Sequence, residues 1–273
     1  MLQLYGQERF IGWYRQALRF VIPVDCIGCN RTLGADPVPF FCRACWERIV
    51  PLKGPSCSRC DQPFVSFAAT SWTADHQCQD CLERPPAYQR AWTLFPYIPP
   101  LQDAICSFKY RGKVGMSKPL ASLMMRAMPS SIKADLIVPV PLHPTRLRAR
   151  EFNQSLLLAD QIGRHLNVPV SPMTLIRFCA TDPQTTLTRH ERLRNLRQAF
   201  AVRTPPAVNG RHILLIDDVF TTGTTLNECA KTLVKAGAES VFALTLARTI
   251  DTSLVPDRIL AEHPLDPGPP LEL

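Results

Sequence analysis

Ile213-Leu214-Leu215-Ile216-Asp217-Asp218-Val219-Phe220-Thr221-Thr222-Gly223-Thr224-Thr225 is an apolar run closed by two carboxylates and then by a turn rich in hydroxyls. A short continuous apolar run is how a buried parallel strand reads. Ile213 to Ile216 therefore predict a strand with Asp217 and Asp218 at its carboxyl end, where α/β sheets bind ligands. Two carboxylates there accept hydrogen bonds from neighbouring ribose hydroxyls. Thr221, Thr222, Gly223, Thr224 and Thr225 offer backbone N–H groups and hydroxyls at a helix start, where the helix dipole favours an anion such as phosphate. Gly223 supplies the backbone freedom or close approach such a loop needs. The helix continues through Leu226 to Lys235 and stops at Gly237.

Either half alone is ordinary, since paired acids are common at helix entries and Thr-Gly-Thr is a common capping turn. The Gly-Lys-Ser/Thr ending of a Walker loop is missing. Joined at this spacing, the string resembles the phosphoribosyl pyrophosphate (PRPP) signature of type I phosphoribosyltransferases.

Eight of the eleven cysteines form four Cys-x-x-Cys pairs: Cys26/Cys29, Cys42/Cys45, Cys57/Cys60 and Cys78/Cys81. Two such knuckles make one tetrahedral Cys₄ zinc site, so eight thiolates imply two structural zinc ions. Disulfides or a thioredoxin-like redox pair are the alternatives. Disulfides need an oxidising compartment, and Glu8, Arg9, Arg15 and Arg19 interrupt the N-terminal apolar residues that a secretory signal would require. Sequential pairing, Cys26/29/42/45 and Cys57/60/78/81, closes short loops at low entropic cost; interleaved pairing remains open. His76 stands two residues before Cys78 and reads as a surface residue. Cys106 and Cys229 read as core, and Cys179 lies in a polar stretch without a local base.

With 273 residues there is room for one ordinary domain and a small accessory one. The reading divides the chain into an amphipathic N-terminal helix (1–23), a metal-stabilised double ribbon (24–86), an α/β domain (87–250) and a Pro-rich tail expected to be disordered (251–273). Pro85-Pro86 marks the boundary between ribbon and domain. The expected elements after it are a strand at Ala91 to Phe95, helices at Leu101 to Tyr110 and Ser117 to Met128, and a strand at Leu136 to Val140. A helix at Gln154 to Leu166, the Ile213 strand, its helix and a strand at Ser240 to Leu246 follow. Such alternation predicts a mainly parallel sheet with helices on both faces. The N-terminal helix is expected to pack on the protein rather than a membrane, and no stretch is long and apolar enough to span a bilayer.

Three further segments carry charge. Ser107-Phe108-Lys109-Tyr110-Arg111-Gly112-Lys113 mixes aromatic and basic residues, which suits stacking on bases while neutralising phosphates. It reads equally as a helix end with cations near the C-terminal dipole and a glycine stop. Lys109, Arg111 and Lys113 are thus nucleic-acid candidates. After Val138-Pro139-Val140-Pro141-Leu142 comes a basic loop with Arg146 and Arg150, placed where pyrophosphate would be held. Arg177 to Phe200 is long and cationic, reading as a mobile lid that brings Arg192 and Arg194 to the departing group, with a compatible helix at His190 to Gln198. The net charge of +8 and pI near 9.0 favour an anionic partner.

The whole order resembles the ComF family, also called ComFC or GntX-like proteins: four Cys-x-x-Cys pairs, Phe-Lys-Tyr-Arg-Gly, Val-Pro-Val-Pro-Leu, Arg-x-Phe-Asn-Gln, Gln184 with Arg192 and Asn195, and Asp-Asp-Val-x-Thr-Thr-Gly-x-Thr. The resemblance runs from about Val24 to Arg248. It implies a double zinc ribbon preceding a type I phosphoribosyltransferase fold, PRPP bound with Mg²⁺, and a role in DNA uptake during competence or in DNA utilisation. The expected partners are PRPP, single-stranded DNA, other competence or DNA-processing proteins and a second copy of the chain, and the expected location is the cytoplasm. A noncatalytic PRPP sensor that binds single-stranded DNA, and a nucleotide-salvage transferase, are the alternatives. No residue identifies the acceptor or a catalytic acid or base. The family usually has glycine where this chain has Glu151, which adds a carboxylate beside the pyrophosphate segment.

Overall fold

Each N-terminal Cys-x-x-Cys pair closes a tight knuckle. In the first, Cys26 N–H donates to the Arg31 carbonyl and Asn30 N–H to the Cys26 carbonyl. In the second, Cys57 donates to Gln62 and Asp61 to Cys57 in the same pattern. Asn30 (φ 57°) and Asp61 (φ 62°) take the left-handed turn position in the two knuckles, and Asn and Asp are the non-glycine residues that tolerate it best. The second pair of each ribbon opens a short helix: Cys42 caps α1 (Arg43–Glu47), and Cys78 precedes α2 (Gln79–Glu83). The computed structural model describes residues 24–34, 36–64, 75–178 and 199–250. Segment 1–23 with its expected helix, the tail 251–273, and most of the expected lid lie outside the described residues. The lid portion includes Cys179, Gln184, Arg192, Arg194, Asn195 and the helix at His190 to Gln198.

The α/β part begins with β1 (Arg90–Pro96), α3 (Leu101–Tyr110), a 3-10 turn at Val114–Met116 and α4 (Ser117–Ala127). It continues with β2 (Leu136–Pro139), α5 (Pro144–Arg150) and α6 (Gln154–Leu166), then β3 (Leu175–Arg177) and β4 (Phe200–Val202). β5 (His212–Phe220), α7 (Thr224–Lys235) and β6 (Ser240–Arg248) complete it. Four strands form one parallel sheet in the order β1-β6-β5-β2. β5 pairs with β2 only from Ile213 to Ile216, whereas its pairing with β6 runs on to Phe220 opposite Arg248. Beyond Ile216 the β2 side of β5 is therefore open, and Asp217 and Asp218 stand at that opening.

Alternation along the strands divides the apolar residues between two cores. Ile137, Leu214, Ile216, Leu244 and Leu246 pack with α3, α4 and α6 on one face. Ile213, Leu215, Val241 and Ala243 pack with α7 on the other. The ribbons join these cores rather than standing apart from them. Phe41, Cys45 and Trp46 of the first ribbon belong to the α3 side, and Cys57, Cys60 and Cys81 of the second to the α7 side. The outer edge of β1 is covered as well, by Leu52 N–H on Leu94 and Ala91 N–H on the Arg59 carbonyl.

The main helices and strands fall within a few residues of expectation. Three features differ. β5 is longer than the expected Ile213 to Ile216, because β6 carries its pairing past the carboxylates. The expected basic loop after Pro141 is instead helix α5, begun by Pro144 at its first turn and capped by the His143 side chain on Thr145 N–H. The β3–β4 ladder was not expected; Arg177 pairs with Phe200 and Phe178 N–H donates to the Ala199 carbonyl.

Candidate functional site

Asp217 Oδ1 accepts from the Ser155 hydroxyl at 2.9 Å and from Asp218 N–H at 2.9 Å. Burial first, and then the charge of Asp218, push the Asp217 carboxyl up to about 7, against the pull of the Asp218 N–H, Lys109 and Ser155. Asp218 Oδ1 lies 2.8 Å from Lys109 Nζ, with side-chain exposures of only 10% and 16%. A buried pair of this kind persists because either charge alone would be poorly solvated. Lys109 is in the last turn of α3, so the carboxylates of one motif are neutralised by the Phe-Lys-Tyr-Arg-Gly segment.

The Arg150-Glu151-Phe152-Asn153-Gln154 segment meets the same place, residue by residue. Arg150 donates to Gln154 Oε1 at 3.0 Å and lies over the Tyr110 ring at 4.8 Å. Phe152 packs on Phe108 with ring centroids 5.6 Å apart. Asn153 Oδ1 caps α6 on Ser155 N–H at 3.0 Å, while its Nδ2 holds the Val140 carbonyl after β2. That cap orients Ser155 toward Asp217. Gln154 is fully buried, and among the described residues its Nε2 has no hydrogen-bond partner. Glu151 is exposed and takes the left-handed conformation (φ 65°), which glycine adopts at less cost.

The hydroxyl-rich turn follows β5 directly. Gly223 (φ 72°) caps α7, and a Cβ there would come within 2.5 Å of the Phe220 ring, so both backbone and space require glycine. Thr222 and Thr224 hydroxyls are 2.9 Å apart; Thr221 and Thr222 are exposed, and Thr225 is half-buried. Backbone N–H groups, hydroxyls and the start of a twelve-residue helix lie together beside the carboxylates, an arrangement whose dipole favours an anion.

The three nucleic-acid candidates separate. Lys109, expected as a nucleic-acid candidate, is instead a partner of Asp218, because the last turn of α3 points it inward. Arg111 and Lys113 flank Gly112 (φ 63°) and line a cleft of about 650 Å³ between the first ribbon and the turn that follows α3, where Lys113 lies 5.7 Å from the Phe40 ring. An adjoining cleft of about 440 Å³ is lined by Asn30, Asp103, Tyr110 and Arg111 among others. Cys106 also lines it, half-buried and 3.3 Å from the Tyr97 hydroxyl, so the expectation that it is core is corrected; Cys229 is fully buried. Arg146 is exposed on α5.

Cys26, Cys29, Cys42 and Cys45 bring their sulfurs within 4.8 Å of one another, as do Cys57, Cys60, Cys78 and Cys81. The pairing is thus sequential. Cys29–Cys42 and Cys60–Cys78 sulfur distances are 3.7 Å. Four sulfurs at about 2.3 Å around one zinc lie about 3.8 Å apart, so both tetrads fit the ion. N–H groups of Cys42, Cys45 and Cys78 donate to the sulfurs of Cys26, Cys42 and Cys57, the orienting bonds a metal-bound thiolate takes. His76 is outside both tetrads and packs edge-on to Phe64.

Lys109 and Ser155 went unrecognised as parts of the carboxylate site. No local pattern marks Lys109, whose direction depends on how α3 packs. Ser155 was legible only as the residue after the Asn153-Gln154 helix start.

A parallel sheet with paired carboxylates over a helix-opening Thr-Gly turn, preceded by two Cys₄ ribbons, defines a zinc-ribbon protein with a type I phosphoribosyltransferase fold. Residues 17–82 match the double zinc ribbon domain and residues 153–261 the phosphoribosyl transferase domain. The chain is 36% identical over 200 residues to the DNA utilization protein YhgH of Escherichia coli (strain K12), spanning 71% of this chain and 87% of the relative. It is 31% identical over 223 residues to Competence protein F of Haemophilus influenzae (77% and 97%), and 27% over 245 residues to Competence protein ComFC of Bacillus subtilis (82% and 95%). The chain belongs to the ComF family. Among the described residues, no helix is long and apolar enough to cross a membrane.

Proposed function

We propose that this protein binds PRPP with Mg²⁺ in the service of DNA uptake or utilisation, the process its relatives' names describe. The observation that carries this reading is the convergence of three distant segments on one place: Lys109 from α3, Ser155 from α6, and Asp217 with Asp218 beside the Thr221–Thr225 turn. In this reading the ribose hydroxyls donate to Asp217 and Asp218, and the 5′-phosphate accepts from the turn's N–H groups and hydroxyls. Arg150, with Arg146 nearby on α5, faces the pyrophosphate, whose Mg²⁺ lowers the charge that must be held. Lys109 gives up part of its bond to Asp218 as the ribose arrives. The two ribbons hold zinc and serve the fold.

Whether the bound PRPP reacts defines two readings. Transfer would require the geometry to stabilise positive charge at the anomeric carbon as pyrophosphate leaves. The second reading, a PRPP-responsive protein that binds single-stranded DNA, is favoured by the placement of Arg111 and Lys113 in the ribbon–α3 seam. Both residues follow Lys109 closely in the chain, beyond the end of α3.

Titration calorimetry of the zinc-loaded chain with PRPP and Mg²⁺, followed by single-stranded DNA and a pyrophosphate assay, tests both. PRPP is expected to bind, and Asp217→Asn with Asp218→Asn to weaken it at least a hundredfold. Equal affinity in the double variant would remove the carboxylates from the site. Pyrophosphate release would establish transfer. DNA binding that falls with salt and with neutralisation of Arg111 and Lys113 would favour the second reading.

A further inference from the structure

Arg248 ends β6 and is 5% exposed, far from water for a guanidinium outside the carboxylate site. Three of its contacts run to the second knuckle. Nη1 donates to the Cys60 carbonyl at 2.7 Å, Nε donates to Gln62 Oε1 at 3.0 Å, and Nη2 donates to the same oxygen. The fourth is with the strand end before the turn: the guanidinium lies over the Phe220 ring at 4.4 Å. That ring is the surface against which Gly223 is seated. The next residue, Thr249, donates its N–H to the Phe220 carbonyl at 3.0 Å and places its hydroxyl near the Phe220 and Thr221 carbonyls. A metal-binding knuckle and an anion-binding turn therefore share one buried side chain.

We infer that Arg248 is a positioning residue that ties the second zinc knuckle to the phosphate turn, so that metal held by Cys57, Cys60, Cys78 and Cys81 and a phosphate ester held by Thr221–Thr225 each tighten the other. The inference rests on reading that turn as the phosphate site. Metal in the tetrad fixes the Cys60 carbonyl and Gln62, and these fix the plane of the guanidinium. The guanidinium fixes Phe220, and the ring fixes where the Gly223 backbone can lie. A coupling of this kind is reciprocal: if metal improves anion affinity, anion must improve metal retention by the same factor. Among the described residues, the first ribbon packs instead with the α3 side of the sheet. Lysine cannot replace arginine here, because one ammonium cannot serve the carbonyl, the amide and the ring face together.

Amide hydrogen exchange on the full zinc-loaded chain, with and without PRPP and Mg²⁺, tests this in wild type, Arg248→Lys and Gln62→Leu. In both variants exchange at residues 221–225 is expected to rise about tenfold without ligand, while residues 213–216 in the sheet stay protected. In wild type the ligand is expected to slow exchange at residues 57–62 but not at 26–31, and in the variants this selective slowing disappears. Unchanged exchange at 221–225 in both variants would overturn the inference, as would equal slowing of the two knuckles. Should Arg248→Lys lose its zinc or its sheet protection, Gln62→Leu decides alone, because it removes two of the three bonds at the ribbon end and leaves Arg248 in place. If PRPP fails to bind wild type while both variants still loosen 221–225, the PRPP reading falls and the tie from knuckle to turn stands.

Discussion

Asp217 is where one side chain sets the pH response of the site. Its carboxyl is held up at about 7 by burial and by Asp218, whereas an unfolded aspartate titrates near 3.9. Between those values the folded protein binds more protons than the unfolded chain, so this group's contribution to stability falls as pH rises toward 7 and is at its least above it. Binding has the opposite sign, since ribose hydroxyls need the charged acceptor. PRPP affinity is therefore expected to increase severalfold from pH 6 to pH 8. In Asp217→Asn it should be weaker and flat, and the variant's melting temperature should gain on wild type over the same interval. Calorimetry and thermal melts across that range check both; a wild-type affinity that does not change with pH would place the carboxylate outside the binding step.

The elements show which parts of the site can be read locally and which cannot. Helix α5 ends at Glu151 in the left-handed conformation, with its N–H on the Leu147 carbonyl. A side chain at such a position costs about 1 kcal/mol relative to glycine, partly offset by glycine's freedom when unfolded. Glu151→Gly is expected to raise stability by about 0.5–1 kcal/mol in urea denaturation; a loss would mean that the Glu151 side chain makes a contact stronger than the strain. The departure at residue 151 was plain in the sequence, but its meaning as a helix terminus required α5, which the run Arg146-Leu147-Arg148-Ala149-Arg150 disguised as a basic loop. β5 and the turn after it were legible because apolar run, carboxylates and glycine follow one another along the chain. Lys109 was not, because its partner is 109 positions away on a different element, and charge beside an aromatic reads the same whether it faces water or Asp218. β3 and β4 are three residues each, too short for alternation to declare them.

At the scale of the whole molecule, the two ribbons are parts of the two cores. The expected small accessory unit is present, yet Trp46 is buried with Leu244 and Leu246, and Cys81 with Val241 and Ala243. Removing the metal is thus expected to destabilise the sheet as well as the ribbons. Chelation should erase a large share of the roughly 5–15 kcal/mol typical of a domain and expose β1 and β6 to hydrogen exchange together with both knuckles. A sheet as protected after chelation as before would show that the cores close without the ribbons. The bond from Arg248 to Gln62 spans 186 residues. At the usual pace of synthesis, about 5–20 residues each second, the knuckle is synthesised some 10–40 s before its arginine exists. Through that interval the first third of the nascent chain has little to shape it besides its own thiols and whatever ion they capture, so zinc present during translation is expected to raise the yield of folded protein more than zinc added afterwards.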